Sequence, residues 1–206
     1  MTTDWRDGFL FVGNQLSLDF LNTRPVVDGS PVELLPDAAS LLRWLEAAGL
    51  LDRHQARELS ESWPAHADLG LKKLLEFRET LRRVVFRLEA GAPPPPSFID
   101  KLNRLLLQYP SVDQVVKSPS GPRRGRRFDL RRPEDAFSPL IDGTVNLLTT
   151  VDPSKVRKCA SCVLHFQDTS KKGTRRWCSM EICGNRAKVA TYAQRKRAEV
   201  ESGSEA

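Results

Sequence analysis

Residues 159–197 read CASCVLHFQDTSKKGTRRWCSMEICGNRAKVATYAQRKR and contain all four cysteines of the chain. The cysteines follow the spacing Cys159-x2-Cys162-x15-Cys178-x4-Cys183. Each close pair can supply two thiolates from one tight turn, and the intervening loop lets both pairs reach a single ion at about 2.3 Å. Disulfides and free thiols are the alternatives, but nothing marks the chain as secreted, and two tight pairs seldom arise by chance. The spacing therefore predicts one structural Zn²⁺ ligated by all four cysteines.

His165 is a further residue near the cysteines that could ligate zinc, because it lies three residues after Cys162. Four thiolates already complete a tetrahedral structural site, and such a closed site leaves no position open for catalysis. The other histidines, His54 and His66, lie on different predicted elements. No motif of a serine hydrolase, a phosphate-binding loop or a metalloprotease stands out. We therefore expect that the protein is not an enzyme.

The residues between and after the cysteines predict a small zinc finger. Val163–Gln167 alternates apolar and polar side chains, a turn follows, and Thr174–Trp177 can return as the second strand of a hairpin. From Ile182 onward the apolar pattern is helical. A knuckle, a hairpin and a helix that carries the last ligand form a treble-clef-like unit. Because this unit is too small to bury a core, we expect metal binding to supply most of its folding free energy.

The same part of the chain is strongly basic. From Lys155 to Arg197 there are 12 Lys and Arg residues and two acidic ones, a local charge of +10 in a chain of net charge +6. A basic finger on a mildly acidic body is typical of a protein that contacts a phosphate backbone. A solvated basic helix is the alternative interpretation. The predicted nucleic-acid contacts are Arg175, Arg176, Arg186, Lys188, Arg195, Lys196 and Arg197.

Three features of this stretch are distinctive: Arg175–Met180 (RRWCSM), Cys183–Arg186 (CGNR), and Lys188 with Tyr192. Together they resemble the CGNR zinc-finger family, bacterial proteins that are described as stress-induced transcription regulators and carry an N-terminal domain named ABATE. Leu16–Thr23 resembles the opening motif of that domain. The resemblance implies that the four cysteines are zinc ligands and that the finger is the DNA-binding part.

Length and composition are those of a globular protein, with 206 residues, 40% hydrophobic and 28% charged. We predict an α+β protein: a mostly helical N-terminal domain with a few short strands, followed by the treble-clef-like zinc finger. The first domain, residues 1–152, is an ABATE-like sensor or ligand-binding domain. Residues 153–206 form the finger, with a basic C-terminal helix and a frayed tail. Since no apolar run approaches the ~18 residues of a membrane span and no secretory signal is found, we expect a cytoplasmic protein.

Helix signals recur through the first domain. Asp37 is a plausible N-cap for a helix that stops at Gly49, and Asp52 can cap a second helix. Pro64 opens a long leucine-striped helix that runs to Gly91. The later predicted elements are a helix from Ser97, a hairpin that pairs Val112–Val116 with Arg127–Leu130, and a helix over Glu134–Thr149.

Two polar residues, Asp19 and Asn22, lie among apolar ones in Leu16–Thr23, a segment that favours a helix. Because buried polar groups need hydrogen-bond partners, they either tie down the following loop or line a small-molecule pocket. Trp44 belongs to the buried stripe of its own helix and is the third candidate for this pocket. The predicted ligand site therefore comprises Asp19, Asn22 and Trp44.

A second basic cluster, distinct from the finger, follows the predicted strand Val112–Val116. It consists of Arg123, Arg124, Arg126 and Arg127. A flexible, solvated loop and a secondary nucleic-acid contact are equally compatible with this composition.

These features predict a zinc-binding bacterial transcription regulator. Its finger would bind DNA, and its first domain would sense a small-molecule effector or form a homodimer. The alternative is a zinc-stabilised protein-interaction or RNA-binding module without a specific operator; redox sensing by zinc release is a third hypothesis. Asn185 and Arg186 either read bases or brace the zinc turn, and bracing is favoured for Asn185, because residues beside a ligand often hydrogen-bond its sulfur.

Overall fold

The computed structural model describes residues 4–63 and 67–203, and about 52% of the chain is helical. Within the described residues the helices are α1 (Leu16–Leu21), α2 (Ala38–Ala47), α3 (Arg53–Ser62), α4 (Ala67–Glu89), α5 (Pro96–Gln108), α6 (Phe137–Thr149) and α7 (Asn185–Gly203). The strands in these residues form antiparallel pairs: β1 (Trp5–Arg6) with β2 (Phe9–Leu10), β3 (Val26–Val27) with β4 (Ser30–Pro31), β5 (Val112–Val116) with β6 (Arg123–Arg127), and β7 (Val156–Lys158) with β8 (His165–Gln167). Short 3-10 turns cover Pro133–Ala136 and Pro153–Lys155, and a π-helical turn covers Met180–Gly184. The predicted fold class, a mostly helical domain followed by a small cysteine-bearing unit, is confirmed.

The predicted caps of α2 and α3 are confirmed. The Asp37 carboxylate accepts a hydrogen bond from the Ser40 amide at 2.8 Å, and Asp52 forms a capping box with Gln55. Gly49 follows α2 with a φ of +73°, the left-handed conformation that glycine adopts without strain. The predicted start of α4 at Pro64 lies outside the described residues.

Aromatic side chains occupy the centre of the N-terminal core. Trp44 is only 1% exposed, and its ring centroid lies 6.2 Å from that of Phe11 and 5.6 Å from that of Phe20. Phe77 of α4 meets Phe137 of α6 edge-on, with centroids 5.5 Å apart. Large buried aromatic surfaces contribute much of the hydrophobic stabilisation of a domain. This domain therefore has a core that is independent of the cysteines.

A buried ion pair joins α4 to the segment that follows α1. Arg78 is 1% exposed, and its guanidinium donates to both carboxylate oxygens of Glu33 and, at 2.7 Å, to the hydroxyl of Thr23. The bidentate hydrogen bonds offset the desolvation cost of burying the charged guanidinium of Arg78. The pair holds the chain from Thr23 to Glu33 against the long helix.

Two predicted hairpins are wrong in their pairing. The strand opposite β5 is Arg123–Arg127 rather than Arg127–Leu130, and Val116 pairs with Arg123. The arginines fit this exposed ribbon because Asp113 lies within ion-pair distance of Arg124 and Arg126. Because Leu130 is buried against the core, the residues after Arg127 leave the ribbon.

The hairpin of the cysteine-bearing unit also differs from the prediction. Thr174–Trp177 is not a strand; the partner of β8 is β7, which precedes the first cysteine. The turn of the hairpin is therefore the knuckle that carries Cys159 and Cys162. In the described residues the knuckle meets residues 174–177 through one backbone hydrogen bond, from the Ala160 amide to the Arg176 carbonyl oxygen at 2.9 Å.

No helix in residues 4–63 and 67–203 combines the length and apolarity that crossing a membrane requires. Helix α7 continues to Gly203, past Ala198, the residue after which fraying is predicted.

Candidate metal centre and basic face

The four cysteines converge on one point. Cys159 and Cys162 lie on the knuckle between β7 and β8, and Cys178 and Cys183 lie before and within the π-helical turn. Their Sγ atoms all lie within 4.8 Å of one another, and Cys178 is 3.6 Å from both Cys162 and Cys183. Four sulfurs at 2.3 Å from a tetrahedral zinc are separated by about 3.8 Å, whereas a disulfide bond is about 2.05 Å long. The residues fit a single Zn²⁺, as predicted, and all four cysteines are free.

Because the four thiols lie this close together, they shift one another's pKa values. Hydrogen bonding to Cys159 raises the pKa of Cys162 to about 12. Hydrogen bonding to Cys159 and Cys162, together with burial, raises the pKa of Cys178 far above its usual range. Hydrogen bonds from Cys162 and Cys178 lower the pKa of Cys159. Holding four thiolates together requires a cation, so zinc binding here must release protons.

His165 does not belong to the metal centre. Its ring is completely buried, with Nε2 3.1 Å from Glu89 Oε2 and the ring centroid 5.3 Å from that of Phe86, both on α4. The cluster that could hold a metal contains the four cysteines and not the histidine. The side chain of His165 therefore belongs to the contact between β8 and α4.

Arg175 is a structural brace rather than an exposed cation. Its guanidinium donates to the carbonyl oxygens of Trp177 at 2.9 Å, of Cys178, and of Val12 at 3.5 Å, and it lies 4.4 Å from the centroid of the Phe166 ring. These contacts use Nε and Nη2 and hold the residues around Cys178 in place, whereas the contact of Arg175 with a nucleic acid stays a prediction. Its half-buried environment could not be inferred from a run of exposed-looking arginines.

The glycine of the CGNR motif allows the π-helical turn to pack under two side chains. A Cβ atom at Gly184 would lie 2.7 Å from Met180 Sδ and 3.3 Å from Trp177 Cδ1. A larger residue would therefore displace the side chains that cover the turn carrying Cys183. Single π-helical turns of this kind are frequent at functional sites.

Asn185 braces the zinc turn, which is the role favoured by the sequence. Its side chain bonds a backbone carbonyl oxygen and not a cysteine sulfur. Its side-chain amide donates to the carbonyl oxygen of Glu181 at 3.1 Å, across the turn that holds Cys183. Arg186, the next residue, is exposed to solvent at the start of α7. Asn185 therefore has a bracing contact within the turn, and the side chains of both residues are exposed.

A groove lies between α7 and the residues before Cys178; we call it the finger groove. Its volume is about 400 Å³, and the guanidinium of Arg176 lies 5.0 Å from the ring centroid of Trp177 at one wall. In the described part of the chain no acidic side chain lines it. Besides Gly184 and Ala187, its lining comprises Arg176, Trp177, Lys188, Thr191, Tyr192 and Arg195.

Helix α7 presents cations on more than one side. At about 100° per residue, Lys188 and Arg195 lie on the side of the finger groove, whereas Arg186 and Arg197 lie on the opposite side and Lys196 between them. All five are exposed. The predicted contacts on α7 are thus distributed around an exposed helix and do not form a single row.

Asn22 attaches the finger to the first domain. Its amide donates to the carbonyl oxygen of His165 at 2.8 Å, and its carbonyl oxygen accepts from the His165 amide at 2.9 Å. Asn22 is 4% exposed, so both bonds are buried. The side chain acts as an additional strand partner for β8. The observed role of Asn22 differs from the predicted one of tying down the following loop, because the segment that it binds is 143 residues away.

The loop before α1 continues this contact. The Gln167 amide donates to the carbonyl oxygen of Gly13 at 2.8 Å, Asn14 donates to the carbonyl oxygen of Gln167 at 2.9 Å, and the side chains of Gln15 and Gln167 meet at 2.8 Å. The Gly13 amide in turn donates to the Asp19 carboxylate at 2.7 Å. Local sequence pattern alone does not reveal this docking role, although the polar residues that interrupt an apolar segment were a signal for it.

The structure does not bring Asp19, Asn22 and Trp44 together around one cavity. Asn22 is bound to β8, and Trp44 is enclosed in the core. Asp19 alone lines a surface cavity of about 340 Å³, with Arg6 on the same wall. Burial raises the pKa of Asp19 to about 7, and the hydrogen bond from Gly13 acts in the opposite direction.

Two family models match the chain. The ABATE model, described as "Putative stress-induced transcription regulator", matches residues 14–151, and the CGNR zinc-finger model matches residues 155–196. A comparison with curated proteins finds no match. The resemblance based on the RRWCSM and CGNR motifs is confirmed.

Proposed function

The chain belongs to the ABATE family, and on this premise we propose that its finger binds DNA while its N-terminal domain senses a small-molecule effector. The observation that carries the proposal is the finger groove, in which Arg176, Lys188 and Arg195 meet two aromatic rings. Such a site attracts phosphates and gives the complex a steep salt dependence. Homodimerisation is the alternative role of the N-terminal domain.

The dimensions of α7 support a duplex as the partner. Its 19 residues span about 28 Å, and a helix of ordinary diameter fits the major groove of B-DNA. A helix in that groove has a phosphate strand on each side. In the proposed complex, Arg195 on one side of α7 would contact one strand and Arg197 on the other side would contact the second strand.

The zinc site determines how rigidly α7 is presented. Cys183 lies in the π-helical turn that leads directly into α7, and Asn185 ties that turn to Glu181. The finger is also anchored to α1 through Asn22. A helix that is oriented before binding loses less conformational entropy when the complex forms.

One observation favours a second candidate, the binding of single-stranded nucleic acid such as RNA. The rings of Trp177 and Tyr192 border the same groove as the three cations. Unpaired bases stack on aromatic side chains beside cationic grooves, with little dependence on sequence. Tyr192 is 68% exposed, so its ring is accessible to a base.

The test is fluorescence-anisotropy binding of the zinc-loaded protein to a duplex from upstream of its own gene. A scrambled duplex and an RNA of equal length serve as competitors across a salt series. A preference for the native duplex supports the regulator, whereas equal and salt-dependent binding to all three favours the second candidate.

Substitutions in the finger groove test whether it contacts the DNA. Arg176→Ala and Arg195→Ala should each weaken binding and lower the salt slope by about one. Arg53→Ala is the control, because this arginine is exposed on α3 in the N-terminal domain. An unchanged slope in the first two variants would remove the finger groove from the interface.

A further inference from the structure

A second cationic cavity lies in the N-terminal domain, between α4 and α5; we call it the α4–α5 cavity. Its volume is about 370 Å³, within the range of small-molecule sites. Arg83 and Arg87 of α4 and Lys101 of α5 line it, together with the hydroxyls of Thr80 and Ser97. Within the described residues no acidic side chain contributes to its lining.

Within the described residues, the three cations of this cavity lack acidic partners. In residues 4–63 and 67–203, none of Arg83, Arg87 and Lys101 takes part in an ion pair, although many other arginines of this domain do. Arg83 Nη2 donates to the Thr80 hydroxyl at 3.3 Å. Three like charges around one cavity repel one another, and a bound anion would relieve that repulsion.

The lining also has an apolar part. Val84, Pro95 and Phe98 contribute to it, and Val84 and Phe98 are buried side chains. Arg87 Nε donates to the carbonyl oxygen of Pro93 at 3.0 Å, which ties the proline-rich connector to α4. A site lined by three cations and by apolar side chains that include an aromatic one suits a ligand that has a charged head and an apolar body.

The start of α5 adds to the positive potential. This helix has 13 residues; its first residue, Pro96, has no amide hydrogen, and the Phe98 amide donates to the Pro95 carbonyl oxygen at 2.9 Å, so the amide that faces outward in this turn is that of Ser97. The N-terminal amides of a helix favour a nearby anion. Ser97, in that first turn, is itself part of the cavity wall.

From this arrangement we infer that the α4–α5 cavity binds a small organic anion, namely a phosphate monoester with an aromatic or similarly apolar body. Arg83, Arg87 and Lys101 would hold the phosphate, and the body would lie on Phe98. This inference gives the proposed sensing role a site and a ligand class, and it rests on that part of the proposed function.

The same helix also contacts the finger. Phe86 and Glu89, on a neighbouring face of the last turns of α4, are the residues that meet His165 of β8. Arg83 and Arg87 lie within the same turns. An anion that reorders these turns therefore acts on the helix that supports the finger.

The experiment is isothermal titration calorimetry of the full-length, zinc-loaded protein with phenyl phosphate. Inorganic phosphate and phenol are the companion probes, since each carries only half of the proposed ligand. We expect saturable binding of phenyl phosphate, weaker binding of inorganic phosphate and none of phenol. The absence of saturation up to about 10 mM phenyl phosphate would overturn the inference.

Matched variants distinguish this site from other basic surfaces. The double variant Arg83→Gln/Lys101→Gln should weaken binding of phenyl phosphate at least about tenfold. Lys72→Gln/Lys73→Gln removes the same charge from exposed positions of α4 outside the cavity and should leave the affinity unchanged. Equal weakening in both double variants would mean that only net charge matters, which contradicts the inference.

A third double variant, Arg176→Gln/Arg195→Gln, separates this site from the finger groove. It should weaken DNA binding while leaving phenyl phosphate binding intact. If phenyl phosphate binding is lost in this variant and retained in Arg83→Gln/Lys101→Gln, the anion binds the finger and the α4–α5 site is wrong. If DNA binding fails in the wild type but phenyl phosphate still binds at α4–α5, only the proposed DNA-binding role is refuted.

Discussion

Trp44 and Phe166 are both buried, but different kinds of structure bury them. Trp44 lies among aromatic and leucine side chains of the N-terminal domain, in a core that spans several helices. Phe166 lies in a small cluster made largely of the metal-ligating cysteines, together with Leu164 and one residue from the other end of the chain, Val12. The N-terminal domain therefore buries its own core, whereas the finger depends on its metal and on a surface that the N-terminal domain provides.

This difference explains why polar groups of the N-terminal domain bond to the finger where the two regions meet. Asn22 and the loop at Gly13 supply hydrogen-bond partners for β8, whose strand partner in the described residues is the three-residue strand β7. Two-stranded hairpins are marginally stable on their own in water. The opening motif of the first domain is thus part of the support for the finger.

The largest effect is expected from removing a zinc ligand. Cys178→Ser should reduce the zinc content from one per chain to near zero and unfold the finger, because structural zinc contributes on the order of 10 kcal/mol to such units. The helices of the N-terminal domain should remain folded. Metal analysis combined with circular dichroism tests both points. Ser161→Ala, which changes the knuckle without removing a ligand, is the control; retention of zinc by Cys178→Ser would refute the assignment.

The second-largest effect is expected from breaking the buried ion pair of the N-terminal domain. Arg78→Ala should lower the free energy of unfolding by about 3 kcal/mol, because it leaves Glu33 partly buried without its partner. Urea unfolding of the zinc-loaded protein measures this loss. Lys73→Ala, an exposed change on the same helix, should cost less than about 0.5 kcal/mol. Similar losses in the two variants would mean that Arg78 adds nothing through its buried contacts.

The junction between the two regions should respond less strongly. Asn22→Ala leaves the buried amide and carbonyl of His165 without partners, at a cost of about 2 kcal/mol. The loss should appear as faster hydrogen exchange in β8 and faster zinc release to a chelator. Asn185→Ala, whose side chain is exposed and bonds within the finger, should leave exchange in β8 unchanged. If Asn22→Ala exchanges like the wild type, the finger folds without this support.

The smallest expected effect is a pH dependence at Asp19. Since its pKa is raised to about 7, the folded state retains a proton that the unfolded state loses near pH 4. Its contribution to stability is therefore present at low pH and is lost as pH rises towards 7. As the pH rises from 5 to 8, the free energy of unfolding of Asp19→Asn should therefore increase relative to that of the wild type, by about 1 kcal/mol or more. Parallel urea titrations at the two pH values measure this; a constant difference would show that the carboxyl is not buried in its protonated form.

Features that depend on residues close together in the sequence could be predicted. The zinc ligands followed from their spacing, and the caps Asp37 and Asp52 followed from their positions before apolar helical patterns. The partner of β8 was not predictable in this way. Thr174–Trp177 and Val156–Lys158 are both short segments beside a cysteine pair, and local pattern does not distinguish between them.

By itself, the sequence determined the ligand set, the strong positive charge of the finger and the helical character of the first domain, because each follows from residue type and short spacing. Only the tertiary structure decided that Arg175 is a brace, that Asn22 holds β8, and that Arg83, Arg87 and Lys101 surround one cavity. These roles rest on contacts between elements that are distant in the chain. Their energies come from burial and hydrogen-bond geometry, which the folded packing creates.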